Sequence, residues 1–135
     1  RLSRTSDRIR YRGAVTHKEA LAAQGASDFL INARDPGEAF TRYSFPSKTL
    51  EYLGSGTPIL TTVLPGIPEA FWNYLLKIES ASVDGIARAI MEALAIPAEL
   101  RLEIGAEGRR FARSRGYKSQ GSKIWDFMSV AGARA

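Results

Sequence analysis

The sequence predicts one α/β domain in which a parallel sheet lies between layers of helices. Three observations predict it. Apolar runs of strand length alternate with segments of helical period along the first part of the chain. One run is apolar throughout, as in strands covered on both faces. Helix entries and exits, marked by capping residues, prolines and glycines, fall between the runs. At 135 residues and 44% apolar content the chain is sufficient for one core and too short for two, so residues 1–135 are read as a single domain.

The elements follow in order. Arg8, Arg10 and Arg12 alternate with Ile9 and Tyr11 and stop at Gly13, the pattern of a short strand with one buried face. Thr16 and Glu19 have the spacing of a capping box, which predicts a helix to about Gln24 ended by Gly25. Residues 28–32, with the continuous apolar run Phe29, Leu30 and Ile31 at their centre, read as a strand buried on both faces. Residues 33–45 keep no period and, with Asp35, Pro36, Gly37 and Thr41, read as a long loop of the kind that carries function. A helix is expected from Ser47 to about Leu53, with Pro46 before its cap, then a strand over residues 58–62.

A short helix introduced by Pro68 over residues 67–72 and a strand over residues 75–78 complete an order of strand, helix, strand, helix, strand, helix, strand. The last third is helical. Ser82 caps a helix whose Val83, Ile86, Ala87, Ile90, Met91 and Leu94 form one apolar stripe. Pro97 opens another, and a final helix carries Ile124, Trp125, Phe127 and Met128. Strands alternating with helices imply right-handed crossovers, hence a Rossmann-like three-layer α/β/α arrangement. Its ligand edge lies at the carboxyl ends of the strands, where the loops after Asn32 and Thr62 meet the start of the Ser47 helix.

Composition narrows the chemistry. Without cysteine there is no thiolate catalysis, disulfide or cysteine-ligated metal, which fits a reducing compartment such as the cytoplasm. No apolar run reaches the length of a membrane span. The chain opens at Arg1 with no initiator methionine and no secretory signal pattern, and reads as a piece of a longer protein. A net charge of +5 favours anionic partners. No spacing of His, Asp and Glu fits a metal site, no dinucleotide or P-loop glycine motif occurs, and no basic-aromatic pattern points to nucleic acid. His17, alone in a first helical turn, reads as an exposed residue rather than a base. Arg109, Arg110, Arg113 and Arg115 read first as a solvated helix face and second as a contact for the anionic inner face of a membrane.

The chemistry-bearing segment is residues 43–51. A helix start offers unpaired N–H groups and partial positive charge, a natural phosphate holder. Lys48 adds a full charge, Ser44 and Ser47 add hydroxyls, and Glu51 lies one turn deeper on the same helix face as Ser47. A carboxylate at Glu51 can accept hydrogen bonds from both ribose hydroxyls of a nucleotide whose diphosphate rests on the first turn, whereas on a purely structural surface helix Glu51 and Lys48 are ordinary solvated charges.

Residues 44–60, S-F-P-S-K-T-L-E-Y-L-G-S-G-T-P-I-L, resemble the F-P-S-K-x-x-E-Y-L-x-S-G-x-P signature of retaining "group 1" glycosyltransferases with the GT-B fold, especially bacterial polysaccharide enzymes. The similarity continues in order over residues 9–13, 15–21, 28–31 and 65–69. It implies that the chain is the C-terminal, donor-binding half of a two-domain GT-B protein, with the acceptor held mainly by an N-terminal domain.

It also implies a nucleoside-diphosphate sugar donor such as a UDP- or GDP-sugar, a polysaccharide, glycan or lipid-linked acceptor, and neither metal nor further cofactor. By position, Glu51 is the ribose-binding glutamate, and Ser44, Phe45, Pro46, Ser47 and Lys48 surround the diphosphate. Alone, this half is expected to bind nucleotide weakly and transfer nothing. The last helix of such enzymes crosses back to the other domain, which would engage Trp125, Phe127 and Met128; an ordinary contact with this domain's own core explains the three equally well.

One departure bears on mechanism. Many of these enzymes carry a second glutamate eight positions before the ribose-binding one, beside the transferred sugar, where this chain has Tyr43. Glu38 or Asp35 on the same loop would have to replace it, and Glu38 is the candidate catalytic carboxylate. The departure leaves retention against inversion open. It also raises two alternatives: a non-catalytic nucleotide-sugar-binding module, and a nucleotide-sugar epimerase on the same fold.

Overall fold

The computed structural model of the chain describes residues 7–43 and 45–132. Its elements are α1 (His17–Gly25), β1 (Leu30–Asn32), α2 (Ser47–Ser55), β2 (Ile59–Thr62), β3 (Leu76–Ile78), α3 (Val83–Leu94), α4 (Ala98–Ser114) and α5 (Tyr117–Gly132), with 3-10 turns at Ala39–Arg42 and Glu69–Tyr74. The strands are parallel in the order β1-β2-β3, with Leu30 opposite Ile59 and Leu60 opposite Leu76. Helix α2 supplies the crossover from β1 to β2, and the Glu69–Tyr74 turn lies on the path from β2 to β3.

Alternate side chains of β2 explain the layering, because successive residues of a strand point to opposite faces. Ile59 enters a cluster with Leu53, Leu64, Ile67, Phe71 and Leu75, against which Phe111 of α4 packs. Leu60, its neighbour, enters a second cluster with Ile78 and with Ala89 and Ala93 of α3. All four residues of β2 are buried, so this central strand has helices on both faces. The result is the expected Rossmann-like α/β arrangement.

The side beneath α2 and α4 is the more tightly built. Phe71 meets Phe45 at 5.1 Å and Phe111 at 4.9 Å between ring centroids, and Tyr74 stacks on Phe111 at 4.4 Å. Gly105 and Gly108 let α4 approach α2. A Cβ at Gly105 would run into the carbonyl of Gly56, and one at Gly108 would stand 2.8 Å from a Leu53 methyl. Gly56 itself closes α2 in the left-handed conformation, at φ 79°.

Several sequence expectations need correction. Residues 8–12 form no strand, and Ile9 and Tyr11 are exposed. An alternating pattern becomes a strand only when a neighbouring edge pairs with it, and the described sheet brings none to these residues. Among the described residues three strands therefore replace the expected four. Strand β1 is an edge strand whose Ile31 is 46% exposed rather than covered, because α3 packs against β2 and β3.

On α3 the sheet-facing residues are Ile86, Ala89, Ile90 and Ala93, while Val83, Met91 and Leu94 point outward. Small alanines let this helix sit close on the strands, a choice that apolar periodicity alone does not reveal. Helix α1 includes Gly25 and is capped at Ala26. Pro46, not Ser47, is the N-cap of α2. The helix expected over residues 67–72 is the 3-10 turn Glu69–Tyr74.

The long loop after β1 holds the turn Ala39–Arg42, anchored by buried Thr41, whose hydroxyl donates to the carbonyls of Pro36 and Glu38. Trp125, Phe127 and Met128 on α5 are exposed and are not contacts of this domain's core. Among the described residues no helix is long and apolar enough to cross a membrane.

Candidate functional site

In a parallel β-α-β unit the crossover helix begins at the carboxyl ends of the strands, and the start of α2 accordingly stands on the ligand edge. Its local chemistry differs from that of its neighbours. Helix α1 has the Thr16 side chain as cap and Glu19 in its first turn, α3 has the Ser82 side chain and Asp84, and α4 has Glu99. Helix α2 begins at Pro46, which has no capping oxygen, and has no acid in its first turn. Of α1 to α4 it alone starts with neither. Thr49 N–H donates to the Pro46 carbonyl at 2.8 Å in a tightened first turn, so the partial positive charge of the helix end is opposed by no side chain of its own first turn.

The expected site residues take distinct positions around this start. Phe45 turns inward against Phe71 and Pro46 is buried, so both present backbone rather than side chain to the edge. Ser47 and Lys48 are exposed. Ser44 lies outside the described residues. Tyr43 is 89% exposed at the end of the 3-10 turn, and Glu38 is exposed at the beginning of that turn. Asp35 accepts from Gly37 N–H at 2.8 Å, which folds the loop on itself.

Glu51 is the best-held polar group of the set. Its Oε1 accepts from Gln24 Nε2 at 2.6 Å and from Lys48 Nζ at 3.4 Å. The side chain retains 28% exposure, so it is neither sealed nor freely solvated. The Gln24 bond, the Lys48 ammonium and the more distant His17 hold its carboxyl below the ordinary glutamate range, outweighing the opposing effect of partial burial. Glu51 is therefore an anion at neutral pH, with Oε2 receiving no hydrogen bond from the described residues.

The structure adds residues that sequence reasoning passed over. Gln24, in the last turn of α1, is 8% exposed, and its carbonyl accepts from Thr57 Oγ1 at 2.7 Å. A lone amide side chain after the small pair Ala22 and Ala23 was the available signal. At the carboxyl end of β2, the Thr62 hydroxyl accepts from Arg34 N–H at 3.1 Å and donates to Arg34 carbonyl at 2.8 Å. This clasp fixes the start of the long loop beside a cleft of about 350 Å³ lined by Arg34, Asp35, Ser82 and Ile86. The Arg34 guanidinium lies over Phe40 at 5.9 Å. A cation just past a strand end was the signal there.

Arg109, Arg110, Arg113 and Arg115 are all exposed, as a solvated face at the end of α4 requires, and three of them make surface contacts. Arg109 donates to the Ser55 carbonyl at the end of α2, Arg110 pairs with Glu107 at 3.6 Å, and Arg115 lies over Phe111 at 5.0 Å. His17 is exposed, as expected for a helix-start residue.

The arrangement can hold an anion at an open helix start with a fixed carboxylate one turn away. Comparison with known proteins identifies the family. No curated protein and no solved structure matches the chain. A family model described as glycosyl transferase-like matches residues 3–121, most of the sequence and all of the sheet with its flanking helices α1 to α4. The chain belongs to the glycosyl transferase-like family.

Proposed function

We propose that this chain is the C-terminal, donor-binding domain of a GT-B glycosyltransferase that moves a sugar from a nucleoside-diphosphate donor to a polysaccharide, glycan or lipid-linked acceptor. The observation that carries the reading is the pairing of an uncapped, acid-free helix start with Glu51 one turn inside it. The N–H groups of Ser47 and Lys48 and the Lys48 ammonium hold the diphosphate, and the Glu51 carboxylate accepts the ribose hydroxyls. When the bond from the sugar C1 to the diphosphate oxygen breaks, the electron pair leaves on the diphosphate. The helix start and Lys48 stabilise that charge, in place of a metal. The acceptor oxygen, brought by the other domain, forms the new bond to C1 as its O–H bond breaks, and the proton passes to the departing diphosphate.

Glu38 is the carboxylate proposed to stand near the transferred sugar, on the loop that the Thr62 clasp anchors. The exposed face of Trp125, Phe127 and Met128 supports a helix α5 that packs on the second domain. Calorimetric titration of the full-length protein with UDP and GDP tests the reading. Binding of one of them is expected, weakened about tenfold or more by Glu51→Ala, the loss typical of hydrogen bonds to a charged group. Absence of binding, or unchanged affinity in Glu51→Ala, would overturn it.

A second reading rests on Tyr43, which is fully presented to solvent where the resembling enzymes carry their sugar-side glutamate. It makes the protein a nucleotide-sugar-binding module without transfer. Full-length protein that binds donor yet neither hydrolyses nor transfers it would favour this reading. Sugar inversion without acceptor would instead indicate an epimerase.

A further inference from the structure

We propose that Gln24 is the positioning residue of the nucleotide site, clamping Glu51 from the α1 side so that its carboxylate meets the ribose diol in one fixed orientation. The inference rests on the reading of Glu51 as the ribose-binding group. Two observations carry it beyond that reading. Gln24 comes from a different helix, is 8% exposed, and makes a 2.6 Å bond to Glu51 Oε1, the shortest side-chain contact Glu51 has among the described residues. Its backbone is fixed too, because Thr57, just before β2, donates to its carbonyl at 2.7 Å. The clamp is thus tied to the sheet and not to the surface.

Lys48 contrasts with it. The ammonium that shares Oε1 sits at 3.4 Å on a side chain 53% exposed. When a diphosphate arrives at the start of α2, Lys48 turns to it at little cost, since an exposed ion pair is weak. That movement frees the second lone-pair direction of Oε1, while Oε2 is already open. Gln24 has no comparable freedom. The ionised Glu51 carboxylate can only accept, so the amide faces it with Nε2, even though this leaves its own Oε1 buried without a partner among the described residues. One hydroxyl of the ribose then goes to each carboxylate oxygen, with the amide fixing the plane between them.

Such a clamp has a consequence that packing alone lacks: it sets the preference for a ribose diol over a sugar without hydroxyls. The test is calorimetric titration of the full-length protein with the nucleoside diphosphate it binds and with the 2′,3′-dideoxy counterpart. Native protein should prefer the ribose form by about tenfold or more. Gln24→Met keeps the side-chain length without a donor, and Gln24→Asn keeps the amide but cannot span the gap. In both, the preference should fall to within about threefold, with affinity for the dideoxy form unchanged.

A folded variant that keeps the full preference, or loses affinity for both forms equally, would overturn the proposal. If Glu51→Ala also leaves the preference intact, the site reading itself has failed. If Glu51→Ala removes it and the Gln24 variants do not, only the clamp has failed. One measurement needs no variant: carbon-detected NMR titration of the Glu51 carboxyl in unliganded protein. A value below the ordinary range is expected, because Gln24 is the largest influence lowering it. A value at or above that range would refute the clamp.

Discussion

Helices α1 and α2 pack against each other, yet their first turns are built on opposite plans. At α1 the Thr16 hydroxyl accepts from Glu19 N–H at 3.3 Å, while Glu19 Oε2 takes the Thr16 N–H at 2.8 Å and the Thr16 hydroxyl at 2.7 Å. That start is closed: the N–H groups of Thr16 and Glu19 are both taken up by the capping box, and its positive end is opposed by its own carboxylate. At α2 Pro46 supplies only a carbonyl, and the first-turn charge is Lys48. What α2 gives up in capping it regains from the side, through α4 and the close contacts that Gly105 and Gly108 permit. A helix held by its flank is free to leave its end open for a ligand.

The largest expected effect breaks that flank. Gly105→Ala places a methyl against the Gly56 carbonyl, an obstacle of backbone that cannot turn aside. It should cost about 1–3 kcal/mol of stability, the usual range for overpacking, read as a lowered denaturant midpoint with an unchanged slope. Stability equal to that of the native protein would mean that α2 and α4 are not locked as described. Lys48→Ala separates stability from binding. The Lys48–Glu51 pair is an exposed surface contact, so stability should move by less than about 0.5 kcal/mol. Affinity for a nucleoside diphosphate should nevertheless drop about tenfold, and its salt dependence should flatten. Thr16→Ala should do the reverse: about 1 kcal/mol of stability lost, with nucleotide affinity little changed.

The contrast between the two helix starts also marks how far the sequence could be read. The capping box at Thr16 and Glu19, the Ser82 cap and the helix beginning at Ser47 were legible, because each depends on residues within one turn of one another. Residues 8–12 were misread as a strand, since pairing depends on a neighbour that local pattern does not name. On α3, Ile86 and Ile90 face the sheet while Met91 and Leu94 do not, and only the position of the sheet selects between the two apolar faces. The site divides in the same way. Lys48 and Glu51 share a helix and were visible, whereas Gln24 lies 27 positions from Glu51 and Arg34 meets Thr62 across 28, distances that no motif spans.

Acid titration sharpens the comparison with the smallest expected effect. Glu19 and Glu51 both have carboxyls held below the ordinary value of 4.5, the first by its bonds to Thr16 and the second foremost by Gln24. In each case the folded protein binds the proton less readily than the unfolded chain. The stabilisation is therefore complete above about pH 5 and is lost as pH falls through the lowered folded values. Denaturation midpoints measured between about pH 6 and pH 3 should decline, and Glu19→Gln and Glu51→Gln should each flatten the decline. The two should differ in where the loss appears. Glu19 acts within its own helix, so its protonation should speed amide exchange in the first turn of α1 alone. Glu51 joins two helices, so its protonation should loosen the α1–α2 contact, including the Gln24 side-chain amide. Identical exchange patterns for the two variants would mean that the open and closed helix starts do not behave as separate devices.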